Sequence, residues 1–103
     1  MISLLRENQS QIAAICREYA VERLDVFGSA STGRFDPECS DIDFIASFGA
    51  REAGESLLDR YIGLANALEA LLARRVDVIT PRSMKNPYFI RNVEATRELL
   101  YAA

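Results

Sequence analysis

Apolar and polar residues repeat along this chain with two different periods, which predict helices and strands in turn. Residues 3–19 and 57–75 carry apolar side chains three and four positions apart, the spacing of amphipathic helices. A further helix is predicted to begin at Asn86 and Pro87, which suit a cap and a first helical position, and to continue through Leu100.

Three shorter segments favour strands. Residues 21–27, 41–48 and 76–80 are rich in β-branched and aromatic residues, and the last segment stops at Pro81, which cannot donate to a sheet ladder. Residues 30–40 collect Gly, Pro, Asp and Ser and predict a loop, with room for one helical turn after Ser29. The resulting order predicts an α/β fold in which helices pack on a small mixed sheet.

Length and charge narrow the possible functions. A chain of 103 residues fits one domain spanning 1–103. Twelve Lys and Arg against fifteen Asp and Glu give a net charge of −3, so we expect no basic face that would bind nucleic acid directly. The chain contains no histidine, which excludes Ser-His-Asp and Cys-His catalysis and leaves acid, base or metal chemistry to carboxylates.

Cysteine content and apolar runs indicate the compartment. The two cysteines, Cys16 and Cys39, are too few for an all-cysteine zinc site and suit a reducing cytoplasm. The chain has no leader-like apolar stretch at residues 1–11 and no uncharged apolar run long enough to span a membrane. We therefore expect a cytoplasmic protein without membrane contact.

Acidic residues stand in two predicted strands, although Asp is disfavoured there. Asp41 and Asp43 leave the same face of a strand roughly 7 Å apart, where they could share a divalent cation. Alone, this pair is more often two solvated carboxylates ahead of a strand than a metal site. Asp77, between Val76 and Val78, points away from its apolar neighbours and needs solvent, a cation or a donor.

A possible phosphate-binding turn precedes the acidic pair. Gly28 and Ser29 follow the first predicted strand, where backbone N–H groups and a hydroxyl can meet an anionic oxygen. Three strand carboxylates together with such a turn match the needs of two-metal nucleotidyl transfer, for which Mg²⁺ suits the oxygen ligands.

The string FGSASTGRFDPECSDIDF, with the later VDV, resembles the signature of the polymerase-β-like nucleotidyltransferases. The short length, and a likeness that extends through the tail PYFIRNVEATRELLYA, make it similar to their minimal nucleotidyltransferase branch, and within it to the MntA-type antitoxins of HEPN ribonuclease toxins. One departure is that eleven residues separate Ser29 from Asp41, one more than in the commonest form of the family pattern.

The resemblance implies a role for each motif residue. Gly28 and Ser29 would hold the triphosphate of ATP, Asp41 and Asp43 would bind two Mg²⁺ ions, and Asp77 would complete one metal site and orient the acceptor hydroxyl. For the antitoxin branch it implies transfer of AMP to a tyrosine of a HEPN-domain toxin, which is thereby neutralised while pyrophosphate is released.

Three alternatives remain at this stage. The chain could neutralise its partner by binding alone, with the carboxylates kept for metal and fold. It could carry out the same chemistry on a small hydroxyl compound. It could also be a small structural α/β domain with no enzymatic activity.

Overall fold

The computed structural model of the chain describes residues 1–32, 41–50 and 56–103. The helices are α1 (Ser3–Glu7), α2 (Gln9–Glu18), α3 (Ser29–Thr32), α4 (Leu57–Leu72) and α5 (Pro87–Thr96), with a 3₁₀ turn at Pro81–Ser83. The strands are β1 (Val21–Phe27), β2 (Ile42–Phe48), β3 (Val76–Ile79) and β4 (Glu98–Ala102). Of the loop predicted over residues 30–40, residues 30–32 belong to α3, the helical turn allowed after Ser29, and the rest lies outside the described residues.

The described strands form one mixed sheet in the order β3-β2-β1-β4, which confirms the predicted fold class. Strand β1 runs antiparallel to both β2 and β4, whereas β2 and β3 are parallel. The carboxyl end of β1 therefore meets the amino ends of β2 and β3 at one end of the sheet. The acidic residues and the Gly-Ser turn lie at that end.

Alternating side chains divide the buried residues between the two faces of the sheet. Phe44 of β2 belongs to the larger cluster, which includes side chains from α2 and α4. On the opposite face, Ile45 packs with Phe27 and with Val93 of α5 in a smaller cluster. Successive side chains of β2 point to alternate faces, so Asp43 lies on the same face as Ile45 and opposite Phe44.

The helix predicted over residues 3–19 is interrupted. Asn8 takes a conformation outside the helical region, with φ −105° and ψ 14°, and its side-chain amide donates to the carbonyl of Leu4 at 2.8 Å. This local hydrogen bond ends α1 before α2 begins, a competition typical of asparagine. The sequence prediction was right about the helical region and wrong about its continuity.

The end of α4 also differs slightly from the prediction, which placed it at Arg74 and Arg75. The helix ends at Leu72, and Ala73 adopts the left-handed conformation with φ 54°. At its start, the Ser56 hydroxyl accepts a hydrogen bond from the Asp59 N–H at 3.3 Å, as expected of an N-cap.

The prediction of a last helix through Leu100 is wrong. Helix α5 begins with the predicted cap, since the Asn86 side chain accepts from the Tyr88 N–H at 2.9 Å, but it ends at Thr96. Arg97 is extended, with ψ 137°, and the tail pairs with the free edge of β1 as β4. The apolar residues Leu99 and Leu100 in this short tail fit both the helical and the strand period. The unpaired edge of β1 favours the strand.

Candidate active site

Asp43 occupies the central position of the candidate site. In the parallel pairing of β2 and β3, its register partner is Asp77. In the antiparallel pairing of β1 and β2, its register partner is Phe27, the residue before Gly28. The sheet thus brings three of the predicted site residues, Gly28, Asp43 and Asp77, side by side across three neighbouring strands.

The other acidic residues differ from Asp43 in exposure. Asp41 lies just before β2 and is exposed, whereas Asp43 is partly buried within the strand. Asp77 is exposed while Val78 beside it is buried, as the alternation along β3 predicts. Every predicted acidic residue is therefore found at the same end of the sheet, with Asp43 the least accessible to water.

Both the backbone conformation and the surroundings of Gly28 favour glycine. Its φ is +71°, a conformation that costs other residues about 1–2 kcal/mol. A Cβ atom on Gly28 would lie 2.9 Å from Oδ2 of Asp43. The turn therefore passes so close to the Asp43 carboxylate that only glycine fits without a shift.

Several hydrogen bonds fix the turn that starts at Gly28. The Gly28 carbonyl accepts from the N–H groups of Ser31 and Thr32, each at 3.1 Å. The Gly28 N–H donates to Oγ1 of Thr96 at 3.0 Å. Ser29, the other predicted residue of the turn, is partly buried at the first position of α3. The last residue of α5 therefore holds the amide group of the turn in place.

Ser31 and Glu98 provide a second support for the turn, which the sequence reasoning missed. The buried Ser31 hydroxyl lies 2.7 Å from Oε1 of Glu98 and 2.5 Å from the carbonyl oxygen of Thr96. The hydrogen bond from Ser31 lowers the pKa of Glu98. A sequence signal for these contacts was lacking, since they depend on the unexpected strand β4.

Burial and charge raise the pKa of Asp43 to about 6. Partial burial removes water from the carboxylate, and the negative charges of Asp77 and then Asp41 oppose its ionisation further. The carboxylates are therefore close enough to repel one another. A cation placed between them would relieve this repulsion.

The three carboxylates of the site form a donor set for a hard divalent cation. Asp41, Asp43 and Asp77 offer only oxygen atoms, the ligands that Mg²⁺ prefers. In their present rotamers, no three acidic or cysteine side chains within residues 1–32, 41–50 and 56–103 are gathered closely enough to hold one ion. The oxygen-only donors and the register that pairs Asp43 with Asp77 fit Mg²⁺.

Among the helices of the described segments, none is long and apolar enough to cross a bilayer.

A family model for the nucleotidyltransferase domain matches residues 9–100. The chain is also similar to a protein of Methanocaldococcus jannaschii named "Putative protein adenylyltransferase", with 34% identity over 84 residues, covering 82% of this chain and 79% of the relative. A second protein of that name from the same organism is 33% identical over 98 residues, covering 95% of this chain and 90% of its own length.

Solved structures give the same assignment. One described as "Structure of putative minimal nucleotidyltransferase" matches with a TM-score of 0.70 and 32% identity, covering 91% of this chain and 90% of the other. A chain from a tri-AMPylated Shewanella oneidensis HEPN toxin in complex with MNT antitoxin matches with a TM-score of 0.63 and 20% identity, over 96% of this chain and 73% of that one. The last likeness is one of fold alone. The match across residues 9–100 shows that this chain belongs to the nucleotidyltransferase domain family, in its minimal branch.

Proposed function

We propose that this chain transfers AMP from ATP to a tyrosine hydroxyl of a HEPN-domain toxin and thereby neutralises it. The observation that carries the proposal is the position of Asp43, between Asp77 on one side and the glycine turn on the other. Such a site can receive a metal-bound triphosphate beside an acceptor hydroxyl. In this proposal residues 1–103 act as one minimal domain in the cytoplasm.

Each residue at the site has a distinct proposed role. Asp41 and Asp43 would hold two Mg²⁺ ions, and Asp77 would complete one of the metal sites. Gly28 and Ser29 receive the triphosphate, since the glycine lets the backbone approach the acidic pair closely. Magnesium bound there would neutralise charge on the leaving pyrophosphate and lower the pKa of the attacking hydroxyl.

Asp77 orients the acceptor in this scheme. Its exposed carboxylate accepts a hydrogen bond from the acceptor hydroxyl, whose oxygen attacks the α-phosphorus of ATP. The bond from the α-phosphorus to the bridging oxygen breaks, and pyrophosphate leaves. The phenolic proton passes to Asp77 and then to solvent. No histidine is needed as a base, in keeping with a sequence that contains none.

The nature of the acceptor is supported by relatives. The two Methanocaldococcus jannaschii proteins are named for adenylyl transfer to protein. The fold also matches complexes in which a HEPN toxin is bound to an antitoxin and carries AMP groups. The net charge of −3 favours a protein acceptor over a nucleic acid.

The test uses a HEPN-domain protein encoded by a neighbouring gene. Its intact mass is measured after incubation with this chain, Mg²⁺ and ATP. We expect mass increments equal to AMP, and their loss with Asp43→Asn. The matched control is Asp59→Asn, which changes an exposed carboxylate of α4 outside the site. A stable complex without any mass increment would instead favour neutralisation by binding alone. AMP transfer to small hydroxyl compounds but not to the protein would favour the small-molecule alternative.

A further inference from the structure

A groove of about 540 Å³ runs along β3 and ends at the candidate active site. Its walls come from the end of β2, the start of α4, and β3. The lining residues include Phe48, Leu57, Leu58, Tyr61, Asp77 and Ile79. Two of these apolar side chains are open to solvent, since Leu57 is 43% exposed and Leu58 is 64% exposed.

Asp77 joins the groove to the acidic site. Among the described lining residues it is the charged one, and its register partner is Asp43. Across the sheet the order is groove, Asp77, Asp43 and then Gly28, because β3, β2 and β1 are neighbours in that order. A molecule in the groove would thus approach the acidic pair from the side opposite the glycine turn.

The free edge of β3 is poorly suited to receive an added strand. The Tyr61 hydroxyl donates to the carbonyl of Val78, and the Val76 N–H donates to a carboxylate oxygen of Glu69 at 3.3 Å. An added strand would have to displace these side-chain partners to pair with the same backbone groups. The groove is therefore better suited to side chains than to a paired strand.

We propose that this groove binds the acceptor tyrosine of the partner protein together with an apolar neighbour of that tyrosine. A phenol combines an apolar ring with a polar tip, which matches apolar walls that lead to one carboxylate. A serine or threonine hydroxyl would leave the apolar walls unfilled. The inference rests on the proposed function and adds the surface that selects an aromatic hydroxyl.

The first test compares two exposed apolar residues of α4. Leu58 lines the groove, whereas Ile62, 46% exposed on the same helix, is not among its lining residues. The acceptor probe is acetyl-Leu-Tyr-Leu-amide, with AMP transfer from MgATP followed by mass spectrometry. Because Leu58→Asp replaces an apolar contact of the groove with a charge, we expect it to raise the KM for the peptide about tenfold or more.

The matched control is Ile62→Asp, for which we expect a KM for the peptide within about twofold of the unchanged protein, as for surface changes away from a binding site. The KM for ATP should stay unchanged in both variants, since the groove lies on the acceptor side. Equal effects of Leu58→Asp and Ile62→Asp would overturn the inference.

The second test needs no catalysis. The probe is acetyl-Leu-Phe-Leu-amide, which has the ring but no hydroxyl, and the readout is the methyl spectrum of the protein. We expect shifts at Leu57, Leu58 and Ile79, and none at Ile12, which is buried in the larger core cluster. If the peptide shifted only other methyl signals, or none, the inference that the groove binds an aromatic side chain would be overturned.

These tests separate the groove from the proposed function. If MgATP fails to bind the unchanged chain, the proposed function fails, and the methyl shifts still decide the groove. Suppose instead that MgATP binds the unchanged chain, that Asp43→Asn abolishes this binding, and that the peptide shifts none of the groove methyl signals. The groove inference is then overturned, and the proposed function stands.

Discussion

Gly28 and Asp43 lie so close that a Cβ atom on Gly28 would stand 2.9 Å from Oδ2 of Asp43. The glycine also has a φ of +71°. These two constraints act on different parts of the molecule, because one concerns the backbone and the other a neighbouring strand. They can be separated by experiment.

Gly28→Ala is expected to lower the free energy of unfolding by about 1–2 kcal/mol from the left-handed backbone alone, with a further loss from the contact with Asp43. Urea denaturation measures the cost in the unchanged chain and in an Asp43→Ala background. We expect a smaller cost in the Asp43→Ala background, where the contacting carboxylate is absent. If Gly28→Ala lowered the free energy of unfolding equally in both backgrounds, the contact with Asp43 would make no contribution to it.

Asp43 should make the stability of the metal-free protein depend on pH. Its pKa is raised from 3.8 to about 6 in the folded chain, so the folded state binds this proton more tightly than the unfolded state. Stability therefore falls as pH rises between about 4 and 6 and stays low above that range. In full, such a shift corresponds to about 3 kcal/mol, and because Asp43 is only partly buried we expect about 1 kcal/mol.

Asp43→Asn should remove this dependence and stabilise the metal-free protein at pH 7.5 by about 1 kcal/mol, with little change at pH 3.5. Thermal denaturation across this range provides the measurement, and Asp59→Asn provides the control. Since a protonated carboxyl binds cations poorly, Mg²⁺ affinity should also weaken below pH 6 in the unchanged chain. If the difference in stability between Asp43→Asn and the unchanged chain did not vary with pH, the raised pKa of Asp43 would be contradicted.

Thr96→Val removes the hydroxyl that accepts from the Gly28 N–H while keeping the shape of the side chain. We expect a loss of about 1 kcal/mol in stability from the contact with Gly28, the usual net value of one hydrogen bond, and a smaller further loss because the hydroxyl also donates to the carbonyl of Asn92. Because the turn is proposed to receive the triphosphate, the KM for ATP should rise about fivefold, the equivalent of a similar free energy. Thr32→Val is the matched control, since the exposed Thr32 hydroxyl donates to the Gly28 carbonyl at 3.2 Å. Equal rises in KM would contradict a special role for the amide contact.

Asp25 is a buried carboxylate whose two arginine partners differ in exposure. The side chain of Arg97 is 22% exposed and that of Arg23 is 52% exposed, while Asp25 is fully buried. We expect Arg97→Met to cost about 3 kcal/mol in urea denaturation, because it leaves a buried charge with weaker compensation. Arg23→Met should cost less than about 1 kcal/mol, as for an exposed ion pair. A larger loss for Arg23→Met would reverse this order.

The acidic residues could be singled out from the sequence because their strand positions depend on local periodicity, and their roles stay predictions. The period of two placed Asp41 and Asp43 on one face of a strand and turned Asp77 away from its apolar neighbours, whereas the pairing of Asp43 with Asp77 comes from the sheet register. The paired glycine and serine marked the turn. The strand β4 was missed because its residues fit a helix equally well and its pairing depends on a free edge of β1. The contacts of Thr96 and Glu98 with the turn were also missed, since they join segments far apart in sequence.

The acidic pair also constrains how the chain can fold. Asp43 and Phe44 point to opposite faces of β2, and Phe44 is fully buried. If β2 slipped by one residue against β1, the carboxylate of Asp43 would turn into the larger apolar cluster and Phe44 would leave it. Such a slip would bury a charge without a partner, which is strongly unfavourable. Asp43, which is proposed to act in catalysis, therefore also destabilises sheets in which β2 pairs with β1 in the wrong register.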